Sequence, residues 1–190
     1  RLVLLPQTIP NRINLSELSP GSATGVTKFL NALKVLLASR GLAAGAEIKA
    51  LTIGNHQFGK TTFKKLLELV PDLEELCCPS TKKLGIGEFK GLSVTAAPHL
   101  KSFEWGWAYD APESSFVENF IAGRTKLEVL RIRNWEGMMT SREPPGDFCG
   151  ASDRLVLALA QSCPNLRELE VCGSIHISLA AARALSAACC

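Results

Sequence analysis

Eight residues of this chain have the types and spacing of a phosphate-binding loop. Gly54-Asn55-His56-Gln57-Phe58-Gly59-Lys60-Thr61 fits G-x-x-x-x-G-K-[ST]. In such a loop, backbone N–H groups and a helix N-terminus cradle the phosphates, the lysine meets the β- and γ-phosphates, and the threonine holds magnesium. Gly54, Gly59, Lys60 and Thr61 are therefore the nucleotide-binding candidates. The apolar run Ile48–Ile53 precedes them and a helical pattern follows, which is the context the loop requires. Two features oppose the reading. No later apolar strand ends in the Asp or Glu that would support magnesium, since Leu127 to Arg133 ends in basic residues. A repeated strand-loop-helix unit also supplies the same context across this segment without any change of period. Nucleotide binding stands as the alternative.

Other chemistry is sparse. His56, His99 and His176 are scattered, with no H-E-x-x-H and no carboxylate at ligand spacing, and they read as turn or surface residues rather than metal ligands. Cys149, near Asp147, is a thiol without an identifiable base. Gly85-Ile86-Gly87 lacks the third glycine of a dinucleotide fingerprint and reads as a turn. No nucleophile-base pair emerges, so the expectation is a protein that is not an enzyme, with no cofactor and no metal.

The elements that would position any site follow from one repeated phrase. Leu166-Arg167-Glu168-Leu169-Glu170-Val171 carries apolar residues at a spacing of three, then two. Leu73-Glu74-Glu75-Leu76-Cys77-Cys78, Leu100-Lys101-Ser102-Phe103-Glu104-Trp105 and Leu127-Glu128-Val129-Leu130-Arg131-Ile132 keep that register, as does Ile48-Lys49-Ala50-Leu51-Thr52-Ile53. The first apolar positions, 48, 73, 100, 127 and 166, are 25, 27, 27 and 39 residues apart. The long step contains Gly137-Met138-Met139 and Glu143-Pro144-Pro145-Gly146-Asp147, an inserted loop over 136–151. This is the L-x-x-L-x-L skeleton of a leucine-rich repeat. Each strand-helix unit has an apolar face it cannot cover alone, and stacking the units builds one shared core.

The segments between the phrases read as helices. From Val26, Phe29, Leu30, Leu33, Leu36 and Leu37 recur at helical spacing until Gly41. Thr61 or Thr62 caps a helix carrying Phe63, Leu66, Leu67 and Val70. Glu88 to Ala97 is a weaker helical stretch, and Pro112 suits the first turn of a helix with Phe116, Val117, Phe120 and Ile121. Ser152 or Asp153 caps the run through Ala160, and Ser178 starts the last helix. Residues 6–25, rich in Pro, Gly and Ser, read as a long loop, either an insertion or a damaged repeat; residues 1–7 are too short to insist on another strand. The fold expected is an α/β leucine-rich-repeat solenoid of at least five parallel strands, a horseshoe with strands on the concave face and helices on the convex one, and residues 1–190 form one domain.

On such strands the leucine positions point to the core, while the residues between and after them face the concave side. The central row is Thr52, Cys77, Glu104, Arg131 and Glu170; the next is Gly54, Pro79, Gly106, Arg133 and Cys172. Strands about 4.8 Å apart place Arg131 between Glu104 and Glu170. One reading is a lateral salt-bridge ladder contributing about 0.2–1 kcal/mol per pair. The other adds Trp107, Arg133, Asn134 and Trp135, because Trp and Arg most often carry binding energy at interfaces. The partner-binding candidates are thus Glu104, Trp107, Arg131, Arg133, Asn134, Trp135 and Glu170, with Trp105 pointing inward.

Composition narrows the partner class. With 46% apolar and 21% charged residues and a formal charge of +3 over 190 residues, no basic cluster of the kind that tracks phosphates appears, so nucleic acid is not expected. No run of about 18 apolar residues exists for a membrane span. Seven cysteines without C-x-x-C suggest free thiols in a reducing compartment, cytoplasmic or nuclear. The chain opens on Arg1 and stops at Cys189-Cys190 inside an apolar run, and the expectation is a monomeric segment of a longer polypeptide.

The stretch Ser162-Cys163-Pro164-Asn165-Leu166-Arg167-Glu168-Leu169-Glu170-Val171-Cys172-Gly173, followed by Ile175 through Cys189, resembles the cysteine-containing leucine-rich repeat of F-box proteins. In that family a Cys-Pro-Asn-Leu phrase leads into a strand and a helix ends near the next Cys. The other units keep the leucines but carry Val70-Pro71-Asp72, Ala97-Pro98-His99 or Arg124-Thr125-Lys126 in its place. The resemblance implies the substrate-binding horseshoe of a cullin-based ubiquitin-ligase adaptor, a protein partner on the concave face, and ligase components reached through an F-box outside this chain. A sensor domain of the ribonuclease-inhibitor or immune-receptor kind is the other repeat class; its alternating 28- and 29-residue periods differ from the 25 to 27 found here.

Overall fold

The computed structural model describes residues 11–15, 23–39, 48–53, 60–78, 97–106, 120–133, 152–171 and 177–189. Its strands are β1 (Arg12–Asn14), β2 (Ala50–Thr52), β3 (Glu75–Cys78), β4 (Ser102–Gly106), β5 (Val129–Arg133) and β6 (Glu168–Val171). All pair in parallel and stand in chain order, β1-β2-β3-β4-β5-β6, in one sheet. The register is the one the spacing predicts: Leu51, Leu76, Phe103, Leu130 and Leu169 are partners across successive strands. The protein is therefore α/β, with six strands among the described residues where the leucine phrases predict at least five.

The sixth is β1, which corrects the loop reading of residues 6–25 over its described part: residues 12–14 form a strand and 23–25 open a helix, while residues 6–10 and 16–22 lie outside the described residues. Ile13 pairs with Leu51, and Leu15 is buried. The first apolar position of this rung is Pro10, so the phrase is broken where it would have been recognised.

The rungs repeat in detail. Before each of β3 to β6 a turn closes by an N–H donating to the carbonyl three residues back: Leu73 to Val70 (3.2 Å), Leu100 to Ala97 (3.3 Å), Leu127 to Arg124 (3.1 Å) and Leu166 to Cys163 (3.1 Å). One carbonyl then accepts two consecutive N–H groups of the next rung. Asn11 accepts from Lys49 and Ala50, Lys49 from Glu74 and Glu75, and Glu74 from Lys101 and Ser102. Lys101 accepts from Glu128 and Val129, and Glu128 from Arg167 and Glu168.

Four helices are described: α1 (Ala23–Ser39), α2 (Lys60–Glu68), α3 (Asp153–Ser162) and α4 (Leu179–Ala188). α1 starts three residues before the expected Val26. α2 starts at Lys60, ahead of the expected Thr61 or Thr62 cap, and Val70 lies in the turn beyond it. Ser152 and Ser178 are the N-caps of α3 and α4, each hydroxyl accepting a backbone N–H at 3.1 Å, which supplies one of the orphan donors of a helix start. The two caps are 178 − 152 = 26 residues apart, as are the C-caps Cys163 and Cys189. The Glu88–Ala96 stretch, residues 107–119, residues 136–151 and the 1–7 segment lie outside the described residues.

The large buried side chains of the described residues meet on one face of the sheet. Leu30, Leu33 and Leu37 of α1, Leu66 and Leu67 of α2, and Leu155 and Leu159 of α3 join Leu51, Leu76, Phe103, Trp105, Leu130 and Ile132 in one buried cluster. Trp105 is fully buried, as expected, and Phe103 packs on Phe120 with centroids 4.3 Å apart. Period-2 alternation forces the residues between them to the other face. Among the described residues no helix packs there.

Candidate functional site

The uncovered face carries three rows. The central row is the expected one, since Thr52, Cys77, Glu104, Arg131 and Glu170 are partners across β2 to β6. Arg131 sits between carboxylates, with Nη1 3.9 Å from Glu104 Oε2 and Nε 3.7 Å from Glu170 Oε2. A contact shorter than both is one the row leaves out: Nε donates to Glu168 Oε1 at 2.6 Å. Glu168 belongs to the row one pleat earlier, Arg12, Ala50, Glu75, Ser102, Val129 and Glu168, which shares the face because residues i and i+2 do. At its other end Arg12 donates to Glu75 Oε1 at 2.7 Å.

A third row lies where the chain enters the strands: Lys49, Glu74, Lys101, Glu128 and Arg167, alternating in sign at every step. Glu74 accepts from Lys101 Nζ at 2.7 Å and lies 3.5 Å from Lys49 Nζ. The hydrogen bond from Lys101 holds the Glu74 carboxyl below its ordinary range, and Glu74 in turn holds the Lys101 ammonium above its own. Between these rows the small side chain of Ser102, partnered by Glu75 and Val129, leaves a depression of about 340 Å³. Glu74, Glu75 and Glu128 line it together with Lys101 and Arg131. Such a hollow can admit one polar or charged side chain of a partner and meet it with either sign.

Another line of side chains joins the turns. Lys126 Nζ lies 2.9 Å from His99 Nδ1, and His99 Nε2 lies 3.8 Å from Asp72 Oδ1. An ammonium has no lone pair, so Nδ1 is the acceptor and Nε2 carries the proton toward Asp72. The arrangement resembles a relay but holds no nucleophile: the Lys126 nitrogen is committed as a donor. It binds successive turns together, as does Asn165 Nδ2 donating to the Thr125 carbonyl at 2.7 Å.

The structure thus brings Glu104, Arg131 and Glu170 together. Arg133 lies in β5 beside Gly106 of β4, and nothing is described of its side chain. Trp107, Asn134 and Trp135 lie outside the described residues. So do Gly54 and Gly59 of the phosphate-loop candidate; Lys60 and Thr61 open α2, after β2 ends at Thr52. The strands flanking β2 end in Asn14-Leu15 and Cys77-Cys78, so no described carboxylate stands where magnesium would be supported. His56, His176, Cys149 and the Gly85–Gly87 turn are also outside the description. Among the described residues no group of three or more His, Cys, Asp or Glu side chains is placed to hold a metal ion, and no helix is long and apolar enough to cross a membrane.

The sequence reading missed Arg12, Glu75, Ser102, Glu128 and Glu168. The signal for four of them was present, since the residue just before the second leucine faces the same way as the one just after it, and the position before that enters the same rim. No protein-family model and no curated protein matches the chain.

Proposed function

We propose that this chain is a leucine-rich-repeat horseshoe whose uncovered sheet face recognises a protein, as the substrate-binding repeat region of an F-box-type ubiquitin-ligase adaptor. The supporting observation is the in-order parallel ladder, which sets Glu75, Glu104, Arg131, Glu168 and Glu170 on one face with no helix over them among the described residues. Strands that each contribute a few polar side chains to a rigid sheet make a surface whose specificity is written row by row. The 26-residue offset between Ser152 and Ser178 and between Cys163 and Cys189 supports the cysteine-containing class of repeat. That class motivates the adaptor role and an intracellular protein partner.

The test is affinity capture with the wild-type chain and with Arg131→Ala/Arg133→Ala, followed by quantitative mass spectrometry and binding measurements on each candidate. The proposal expects a partner whose affinity falls at least about tenfold in the double variant, as for an interface residue of hot-spot class. It also expects that affinity to be unchanged by Lys64→Ala on the exposed side of α2. Unchanged affinity in the double variant would overturn it.

A further inference from the structure

The hollow over Ser102 is lined by charges of both signs, and they are not equally committed. Both of its bases already have partners. Lys101 Nζ donates to Glu74 Oε2 at 2.7 Å, and Arg131 is drawn toward Glu104, Glu168 and Glu170, at 3.9, 2.6 and 3.7 Å, none of which lines the hollow. Of its three acids, Glu74 is held by Lys101 and Lys49, and Glu75 by Arg12 at 2.7 Å. Glu128 is the exception. Among the described residues its carboxylate forms no hydrogen bond and no ion pair, and it acts on Lys101 only at longer range. The hydroxyl of Ser102, whose strand partner Val129 follows Glu128, also has no hydrogen-bond partner among the described residues. Both residues are half-buried, so the hollow presents two acceptors with no donor supplied from within the sheet.

The surroundings narrow the donor to one kind of group. It is cationic, because the lining sets three acids against two bases and the charge of Arg131 is spent on carboxylates outside it. A metal ion does not fit, since among the described residues no group of three or more His, Cys, Asp or Glu side chains is placed to hold one. The acceptors also stand on different strands: Glu75 on β3, Ser102 on β4 and Glu128 at the entry to β5, in steps of about 4.8 Å. A planar guanidinium with five donors bridges acceptors spread in this way, whereas an ammonium is a compact point charge. Val129 offers an apolar wall to the methylene stem that carries it. Resting on the reading of this face as a protein-recognition surface, we propose that the hollow over Ser102 receives one arginine side chain of the partner. Glu128 selects its charge, and the small side chain of Ser102 makes room for it.

The probe is N-acetyl-arginine N-methylamide, titrated at constant ionic strength to about 20 mM onto the full 190-residue chain and followed by amide NMR. The citrulline analogue, which has the same shape without the charge, is titrated beside it. Saturable shifts centred on the Ser102 and Val129 amides are expected with arginine, and binding at least about threefold weaker with citrulline. Glu128→Gln lowers arginine to the citrulline level, and Ser102→Leu fills the hollow and abolishes the shifts. Glu68→Gln, on the exposed side of α2, changes neither. Should Glu128→Gln or Ser102→Leu fail to fold, the difference between the two analogues on the unaltered chain decides alone. Equal binding of the analogues, no saturable shift at Ser102, or indifference to Glu128→Gln would each overturn the proposal. The probe requires no partner protein, so the two readings fail separately. A partner lost in Arg131→Ala/Arg133→Ala but no arginine binding strikes the hollow alone, and arginine binding with no such partner strikes the protein-recognition reading.

Discussion

Arg124 is the buried cation among the described residues, and replacing it separates what its charge does from what its bulk does. It occupies the place taken by Val70, Ala97 and Cys163 in the neighbouring turns and is 3% exposed. Its Nη1 donates to the Ala97 carbonyl, its Nε to the Phe120 carbonyl at 3.3 Å, and its guanidinium lies 4.8 Å from the Phe120 ring centroid. The preceding Gly123 holds φ at 80°, where a residue with a Cβ would be strained. Two charge-assisted hydrogen bonds and a desolvated cation-π contact are together worth about 4–6 kcal/mol. Against this, burial pushes the guanidinium down to about 10, which corresponds to about 3 kcal/mol against the cation. Arg124→Met keeps most of the volume and removes both terms, so the net loss is about 1–3 kcal/mol. Arg124→Ala adds a cavity and costs about 3–5 kcal/mol. Arg124→Lys retains a buried charge that cannot reach both carbonyls and also costs about 3 kcal/mol or more. Urea unfolding followed by circular dichroism measures all three. Equal losses for Met and Ala would refute the division between bulk and charge, and a neutral Arg124→Ala would refute the burial itself.

Three further outcomes are expected. Arg131 and Glu168 are 31% and 46% exposed, so a double-mutant cycle to Ala gives a coupling of no more than about 1 kcal/mol, and a larger value would mean the pair is far less solvated than it is here. Burial pushes the Cys163 thiol up to about 12 and raises Cys78 as well, so both resist iodoacetamide in the native chain while half-buried Cys77 reacts; peptide mass spectrometry showing Cys78 modified before Cys77 would contradict this. The Asp153 carboxylate accepts the Ser178 backbone N–H at 2.6 Å, which holds its carboxyl below the ordinary range. Because the folded value lies below the unfolded one, that stabilisation is complete above about pH 4 and vanishes as pH falls through the folded value. Asp153→Asn should therefore show a smaller drop in Tm between about pH 4 and pH 2 than the wild type, and an equal drop would remove the linkage.

The rungs were legible in the sequence because strand alternation and a fixed unit length act together. Leu76, Phe103 and Leu130 announce themselves by spacing alone, and the structure pairs them as expected. Ser152 and Ser178 were legible because a short hydroxyl before an apolar helical run has one favourable use. β1 was hidden by Pro10, which occupies the leucine place and carries the signature of a loop. Glu168 was hidden because a long arginine reaches diagonally across a strand pair as easily as straight across. Arg124 was the least legible. An arginine reads as exposed, and its burial depends on acceptors that only the fold brings to it, the carbonyls of Phe120 and of Ala97, 27 residues earlier.

The strands succeed one another across a single sheet in chain order and carry their polar rows on one face. The direct measurement is the distance between spin labels placed at Thr52 and Glu170, which the register separates by four strand steps, and at Arg12 and Glu168, separated by five. Labels coupled through an unnatural amino acid avoid the seven native cysteines. At about 4.8 Å per step the account predicts backbone separations of about 19 Å and 24 Å, the second pair the longer. Equal distances, or the reverse order, would contradict it.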